Sequence, residues 1–155
     1  MILNMKKKVI LTIGIPASGK SFWAKEEVAN NSKLVRVNKD DIRAMLGQKW
    51  SREIEKIAVD TEIRCAVAAL RGGYSVIIDD TNLNPNTRDY VKKSIRTVFD
   101  ENAVDIEEKV FDVDPKVCIE RDSKREGKAK VGAAVIMSMY NKYIKKDADV
   151  GDSNS

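Results

Sequence analysis

Gly14-Ile15-Pro16-Ala17-Ser18-Gly19-Lys20-Ser21 is the stretch on which the reading of the chain turns. It meets the phosphate-loop pattern G-x-x-x-x-G-K-[ST] at every fixed position. The run before it, Lys7 to Ile13, is short, apolar and β-branched, as a buried parallel strand requires. The run after it, Phe22 to Ala29, reads as a helix. In that context each position has a task. Gly14 and Gly19 let the backbone bend and approach an anion with no Cβ in the way. Loop N–H groups and the positive helix end then hold phosphate oxygens. The whole stretch, Gly14, Ile15, Pro16, Ala17, Ser18, Gly19, Lys20 and Ser21, is the candidate nucleotide-binding set. Lys20 brings charge to the β- and γ-phosphates, and Ser21 offers a hydroxyl to Mg2+.

Working outward, composition sets bounds. A chain of 155 residues is one domain with room for a core. No apolar run is long enough to cross a bilayer, and the first residues lack the apolar core and cleavage site of a signal peptide. Met5 is an alternative start. Cys65 and Cys118 stand alone at wide spacing, which predicts neither a disulfide framework nor a metal cluster and suits a reducing cytoplasm. There is no histidine, so His-based triads and His-ligated zinc are excluded and a proton acceptor must be sought among the carboxylates. The net charge of +4 permits a polyanionic substrate without requiring one.

Leu34 to Val37 reads as a second strand, running into Asn38-Lys39-Asp40-Asp41-Ile42-Arg43, where the pattern turns helical. Asp40 and Arg43 share a helix face. They are either a capping carboxylate with a local ion pair, or a base and an anion holder at the crevice where α/β sheets bind ligands. Gly47 marks a break. A helix follows from about Ser51 to Leu70, with Ile54, Ala58, Thr61, Cys65 and Ala68 on its expected inner face and Cys65 as a core thiol. A third strand, Ser75–Asp79, ends in Asp79-Asp80-Thr81-Asn82. This has the form of a Walker B segment, with an acid such as Asp80 able to hold Mg2+.

Asn84-Pro85 opens a helix expected to run to about Asn102, and Asp105–Val113 is a fourth strand, polar enough for an edge. Asp114-Pro115 starts a helix with Val117, Cys118 and Ile119 inward. The basic run Arg121 to Lys130 is expected to form a lid over bound nucleotide, where an arginine can stabilise the phosphoryl group in transit. A last helix, about Gly132 to Lys145, carries Val135, Ile136, Met139, Tyr140, Tyr143 and Ile144 as a stripe docking on the sheet. Residues 147–155 are expected to be a disordered tail after a domain of residues 1–146. The fold class is therefore α/β, with about four parallel strands flanked by helices and right-handed crossovers. The strand order 2-3-1-4 follows by analogy with phosphate-loop kinases.

These blocks resemble one family. The loop followed by Trp23-Ala24, Asn38-Lys-Asp-Asp-Ile-Arg43, Asp80-Thr-Asn-Leu-Asn-Pro85, Lys109-Val-Phe-Asp-Val113, Ser123-Lys-Arg125 and Ser138-Met-Tyr140 are similar, in order, to the kinase domain of bacteriophage polynucleotide kinase/phosphatase. The resemblance covers most of residues 6 to 145. It implies an ATP-dependent 5′-hydroxyl kinase acting on DNA or RNA ends with Mg2+, working in a cytoplasm, a host's if the chain is phage-encoded, and in nucleic acid repair. By the match, Lys20 and Ser21 bind the triphosphate and metal, Asp40 is the base on the 5′-OH, and Arg43 holds the acceptor's 3′-phosphate. Arg125 is the lid arginine, Arg121 lies near the nucleotide, and Asp80 with Thr81 supports the acceptor side. Ala17 replaces a glycine frequent in the family, and Glu126 intrudes beside Arg125. No Asp-x-Asp-x-Thr segment follows, so a 3′-phosphatase activity is expected to be absent, with any phosphatase or ligase partner a separate chain. A small-molecule kinase and a non-catalytic nucleotide- or nucleic-acid-binding module are the alternatives.

Overall fold

The computed structural model describes residues 6–145. Their elements alternate as β1 (Lys7–Ile13), α1 (Lys20–Ala29), β2 (Leu34–Val37), α2 (Lys39–Leu46), α3 (Arg52–Arg71), β3 (Ser75–Ile78), α4 (Pro85–Arg96), β4 (Val104–Val110), α5 (Pro115–Ser123) and α6 (Ala133–Met139). Wider π-helical turns continue α6 over Tyr140–Lys145. The expected tail and the alternative start at Met5 lie outside the described residues. The strands form one parallel sheet in the order β2-β3-β1-β4, as the analogy predicts. Among the described residues no helix is long and apolar enough to cross a membrane.

Both faces of the sheet are covered. On one, Val9, Leu11, Val76 and Ile78 pack against Ala66 and Leu70 of α3 and Val91 and Ile95 of α4. On the other, Leu34 and Ile77 meet Ala24 of α1. Each fully buried aliphatic side chain here contributes about 1.5–3 kcal/mol. A third cluster sits at the C-terminal end of β1, where Ile13, Ile15 and Ala17 meet Leu83, Cys118 of α5 and Ile136 of α6.

Several expectations are corrected. β4 stops at Val110 instead of Val113 because its ladder runs from Lys7↔Val104 to Ile13↔Val110 and β1 offers no further partner. It does lie at a sheet edge. β3 stops at Ile78, so Asp79 follows the strand. α4 ends at Arg96, short of Asn102, because Asp100 builds a turn by accepting from the N–H groups of Asn102 and Ala103. The inner face of α3 is Ala58, Glu62, Ala66 and Leu70, so Cys65 is exposed. Val117 and Val135 are also exposed, and Ile136 docks on the loop cluster at the end of β1, not on a sheet face.

Candidate active site

Parallel pairing brings the ends of β2, β3 and β1 to one edge of the sheet. The segments that follow them are the candidate ones: Asn38 to Arg43, Asp79 to Thr81, and Gly14 to Ser21. Ligands bind at this edge in open α/β sheets.

The glycine loop is tied to the sheet by two backbone bonds. Gly14 N–H donates to the Thr81 carbonyl at 3.0 Å, and Phe111 N–H donates to the Ile13 carbonyl at 2.7 Å. Gly14 is needed for space, since a Cβ there would meet Ser18 Oγ at 2.7 Å and Phe111 at 3.1 Å. Gly19 caps α1 at φ 99°, and Ala17 holds φ 65°, a left-handed conformation that favours glycine. Phe111 also stacks edge-on against Trp23 with centroids 5.7 Å apart, and Lys109 lies over both rings, so the Lys109–Val113 block packs behind the loop.

Lys20 is folded into this loop. Its Nζ donates to the Ile15 carbonyl at 2.7 Å and to Ser18 Oγ at 3.2 Å, and the residue is only 7% exposed. Burial lowers its pKa to about 8, and the negative charge of Asp79 offsets part of that fall. A bound triphosphate favours the ammonium form. Affinity for ATP is therefore expected to fall as pH rises above about 8. Calorimetry above that pH, in buffers of different ionisation enthalpy, should register proton uptake on binding. A pH-independent affinity with no proton uptake would show that this amine does not face the phosphates.

Across the crevice, Asn38 caps α2 by accepting from Asp41 N–H, so the cap is Asn38 and Asp40 is left free of that duty. The Asp40 side chain is 86% exposed, and its Oδ1 accepts from Arg43 Nη1 at 2.7 Å. Arg43 is clamped from α3: Glu55 accepts from Nε at 2.8 Å and from Nη2 at 2.7 Å. Those bonds hold the Arg43 charge firmly and keep the Glu55 carboxyl below its ordinary value. Thus Asp40 and Arg43 come together as the sequence predicts, on a rigid support that it did not reveal.

The two acids after β3 diverge. Asp79 is buried; its Oδ2 accepts from Arg36 Nε at 2.7 Å, while Oδ1 has no hydrogen-bond donor. Asp80 turns toward α2: Oδ1 accepts from Lys39 N–H at 3.0 Å, and Lys39 Nζ stands 3.9 Å from Oδ2. Of the two, Asp79 bears more strongly on Lys20. The unpartnered Asp79 oxygen and the Ser21 hydroxyl are hard oxygen donors that suit Mg2+. That ion is commonly held by one or two protein oxygens together with substrate phosphates. Among the described residues no group of three or more His, Cys, Asp or Glu is placed to hold a metal.

In the basic segment, Arg121 Nη1 donates to the Ala17 carbonyl at 3.3 Å, which puts it on the loop. Arg125 donates to the Ala129 carbonyl at 3.4 Å, and its charge lowers the pKa of Lys20. The buried Asp122 accepts from Val131 N–H at 2.9 Å and Gly132 N–H at 2.8 Å, closing the segment at its base. The Val131 bond leads in holding its carboxyl below the ordinary value. Sequence reasoning missed Glu55, Glu62 and Asp122, and it put Asp80 ahead of Asp79. Glu62 had a signal, an acid amid small and apolar residues recurring every four positions on α3; the others had none of comparable weight.

Comparison with known proteins bears on the fold and the family. A family model described as an AAA domain matches residues 9–145. A protein of Autographa californica nuclear polyhedrosis virus, named as a candidate bifunctional polynucleotide kinase/RNA ligase, is 25% identical over 162 residues, covering 92% of this chain and 22% of its own length. One chain in a structure of the Pnkp1/Rnl/Hen1 RNA repair complex superposes with a TM-score of 0.77 at 27% identity, covering 92% of this chain and 46% of that one. An APS kinase of Mycobacterium tuberculosis, solved with AMPPNP and APS, shares the fold at a TM-score of 0.60 and 18% identity, covering 77% of this chain and 70% of that one. The chain thus spans less than half the length of the first two relatives.

Proposed function

The chain belongs to the AAA domain family and has a phosphate-loop kinase fold, and on that footing we propose that it is an ATP-dependent 5′-hydroxyl polynucleotide kinase. The observation that carries the reading is the Asp40–Arg43–Glu55 cluster. It presents an exposed carboxylate and a fixed guanidinium at the sheet edge that also bears the phosphate loop. The relatives named for polynucleotide kinase and RNA repair support it.

The chemistry is in-line phosphoryl transfer, dominated by positioning and electrostatics. Asp40 accepts the proton of the 5′-OH and orients its oxygen. Arg43 holds the acceptor's 3′-phosphate. Lys20 and the loop amides hold the donor phosphates, with Arg121 beside the loop, and Arg125 closes over them from the basic lid. Ser21 and an acid at the end of β3 would hold Mg2+, which would supply charge neutralisation on the phosphates. Asp80, with one oxygen on the Lys39 amide, supports the acceptor side beside Thr81. A ligase is the partner that this activity would feed, since a 5′-phosphate end is what sealing consumes.

The test is label transfer from γ-labelled ATP and Mg2+ to 5′-OH DNA and RNA oligomers, a 3′-phosphorylated nucleoside, a 5′-phosphorylated control, and small polyols and nucleosides. Label on the 5′-OH ends and none on the blocked control is the expected result. Label on a small molecule alone would replace the reading with a metabolite kinase. No label with ATP still bound would leave a binding module. Arg43→Ala should raise the acceptor KM by about tenfold to a hundredfold, as loss of a charged hydrogen bond does, with little change in the KM for ATP. An effect confined to ATP would remove Arg43 from the acceptor site.

A further inference from the structure

The chain has two tryptophans, and they differ in what surrounds them. Trp23 meets Phe111 edge-on and carries Lys109 over its ring. Trp50 is 69% exposed, and among the described residues no second ring or cation stacks on it. It stands in the connector from α2 to α3, one residue before Ser51, whose hydroxyl caps α3 by accepting from Ile54 N–H. The residue before a cap commonly packs through an apolar contact on the fourth residue of the helix. Here that fourth residue is Glu55, and both its oxygens are bound to Arg43. The indole has no apolar partner there. Its loop is nonetheless short and held at both ends. Gly47 closes α2 at φ 71° by donating to the Arg43 carbonyl, Ser51 opens α3, and the Arg43–Glu55 bonds tie the two helices together. Around it Lys49, Arg52 and Lys56 are exposed and outnumber the exposed Glu53. Along α2, Asp40 lies nearest the strand ends, Arg43 one turn farther on, and the connector at the far end. A strand with its 5′-OH at Asp40 and its first phosphate at Arg43 continues toward that connector.

We propose that Trp50 is a stacking site for a nucleobase of the acceptor strand: that of the second nucleotide, on the 3′ side of the phosphate held by Arg43. Every base has a π face, so such a contact adds affinity while tolerating any sequence. Lys49 and Arg52 add positive charge where the following phosphates pass. The proposal rests on the reading that Asp40 and Arg43 serve the acceptor, and it deepens that reading. It makes the favoured acceptor the end of an oligonucleotide and not a single nucleotide.

The experiment compares the full chain with Trp50→Ala and Trp50→Phe. Three acceptors are used: a 3′-phosphorylated nucleoside, a 5′-OH trinucleotide, and the same trinucleotide with its second residue abasic. Trp50→Ala should raise the KM for the intact trinucleotide by about fivefold to a hundredfold, the cost of one lost base stack. The nucleoside has no second base to lose, so the ratio of the two KM values is what changes. Trp50→Phe should recover much of the loss. In the parent the abasic trinucleotide should show the same rise, and Trp50→Ala should add nothing further to it. An unchanged trinucleotide KM in Trp50→Ala would overturn the proposal. So would an equal rise for nucleoside and trinucleotide, which would mean that the loop merely props Arg43. So would a further loss with the abasic acceptor, which would put something other than that base on the indole. If the parent labels no 5′-OH acceptor, the kinase reading fails, and binding of the same trinucleotides is followed by tryptophan fluorescence. Quenching by the intact trinucleotide that Trp50→Phe lacks and the abasic one does not cause would uphold the stack. Quenching that is equal in both proteins, or absent, would overturn it.

Discussion

Asp40→Asn should bring phosphoryl transfer down by about 10²- to 10⁴-fold in kcat, the range for removing a general base, with ATP affinity and thermal midpoint unchanged. The structure explains why the loss should be confined to chemistry. The Asp40 side chain is 86% exposed, and its one ion pair among the described residues is to Arg43. Arg43 keeps both bonds to Glu55 when that pair is gone, so the acceptor holder stays in place. The start of α2 does not depend on Asp40 either, because Asn38 is its cap. Steady-state kinetics with a 5′-OH acceptor, beside an ATP-binding titration, reads the result. Near-parental kcat would remove Asp40 as the base. A lowered midpoint in step with lost activity would make the Asp40–Arg43 pair structural.

Lys20→Met should weaken nucleotide binding and reduce transfer by about 10²- to 10³-fold, the cost of one preorganised donor on a developing charge. Stability should move differently. The folded protein lowers the Lys20 pKa from 10.5 to about 8. Between those values the unfolded chain binds a proton that the folded protein has lost, so this group makes the parent more stable as pH rises across that window. Below about pH 8 that contribution is gone. The Met variant should lack the alkaline rise while folding normally at neutral pH. Midpoints measured across the window check this, and a Met variant that keeps both the rise and ATP binding would place Lys20 outside the phosphate site.

The elements that carry a local pattern were legible. A run of β-branched residues, a full glycine loop and a helix named β1, the phosphate loop and α1 together. The polar Asp105 to Lys109 stretch announced an edge, where β4 lies. What escaped depends on partners distant in sequence. Glu55 reads as one more surface acid until Arg43, twelve residues away, folds against it. On α3, the spacing through Ile54, Thr61 and Cys65 assumed that acids face water. The sheet and α4 instead cover Ala66 and Leu70, and Ala58 and Glu62 are buried on the same stripe. Sequence named two acids after β3, but only the fold separates them. Arg36 captures Asp79 and the Lys39 amide captures Asp80.

The anchoring of the phosphate loop has a consequence for how the chain is made. Residues 13–21 leave the ribosome well before the partners that fix them: Thr81 for Gly14, Phe111 for Ile13 and Arg121 for Ala17. β1 itself lies between β3 and β4 and cannot complete its pairing until both exist. Parallel pairing across such separations closes long loops before it is rewarded, which slows folding and leaves apolar strands open in the meantime. A nascent chain short of residue 121 carries the complete nucleotide motif without the contacts that shape it. Competence to hold a triphosphate is therefore a late event in the folding of this protein, and β1 is the strand most in need of protection on the ribosome.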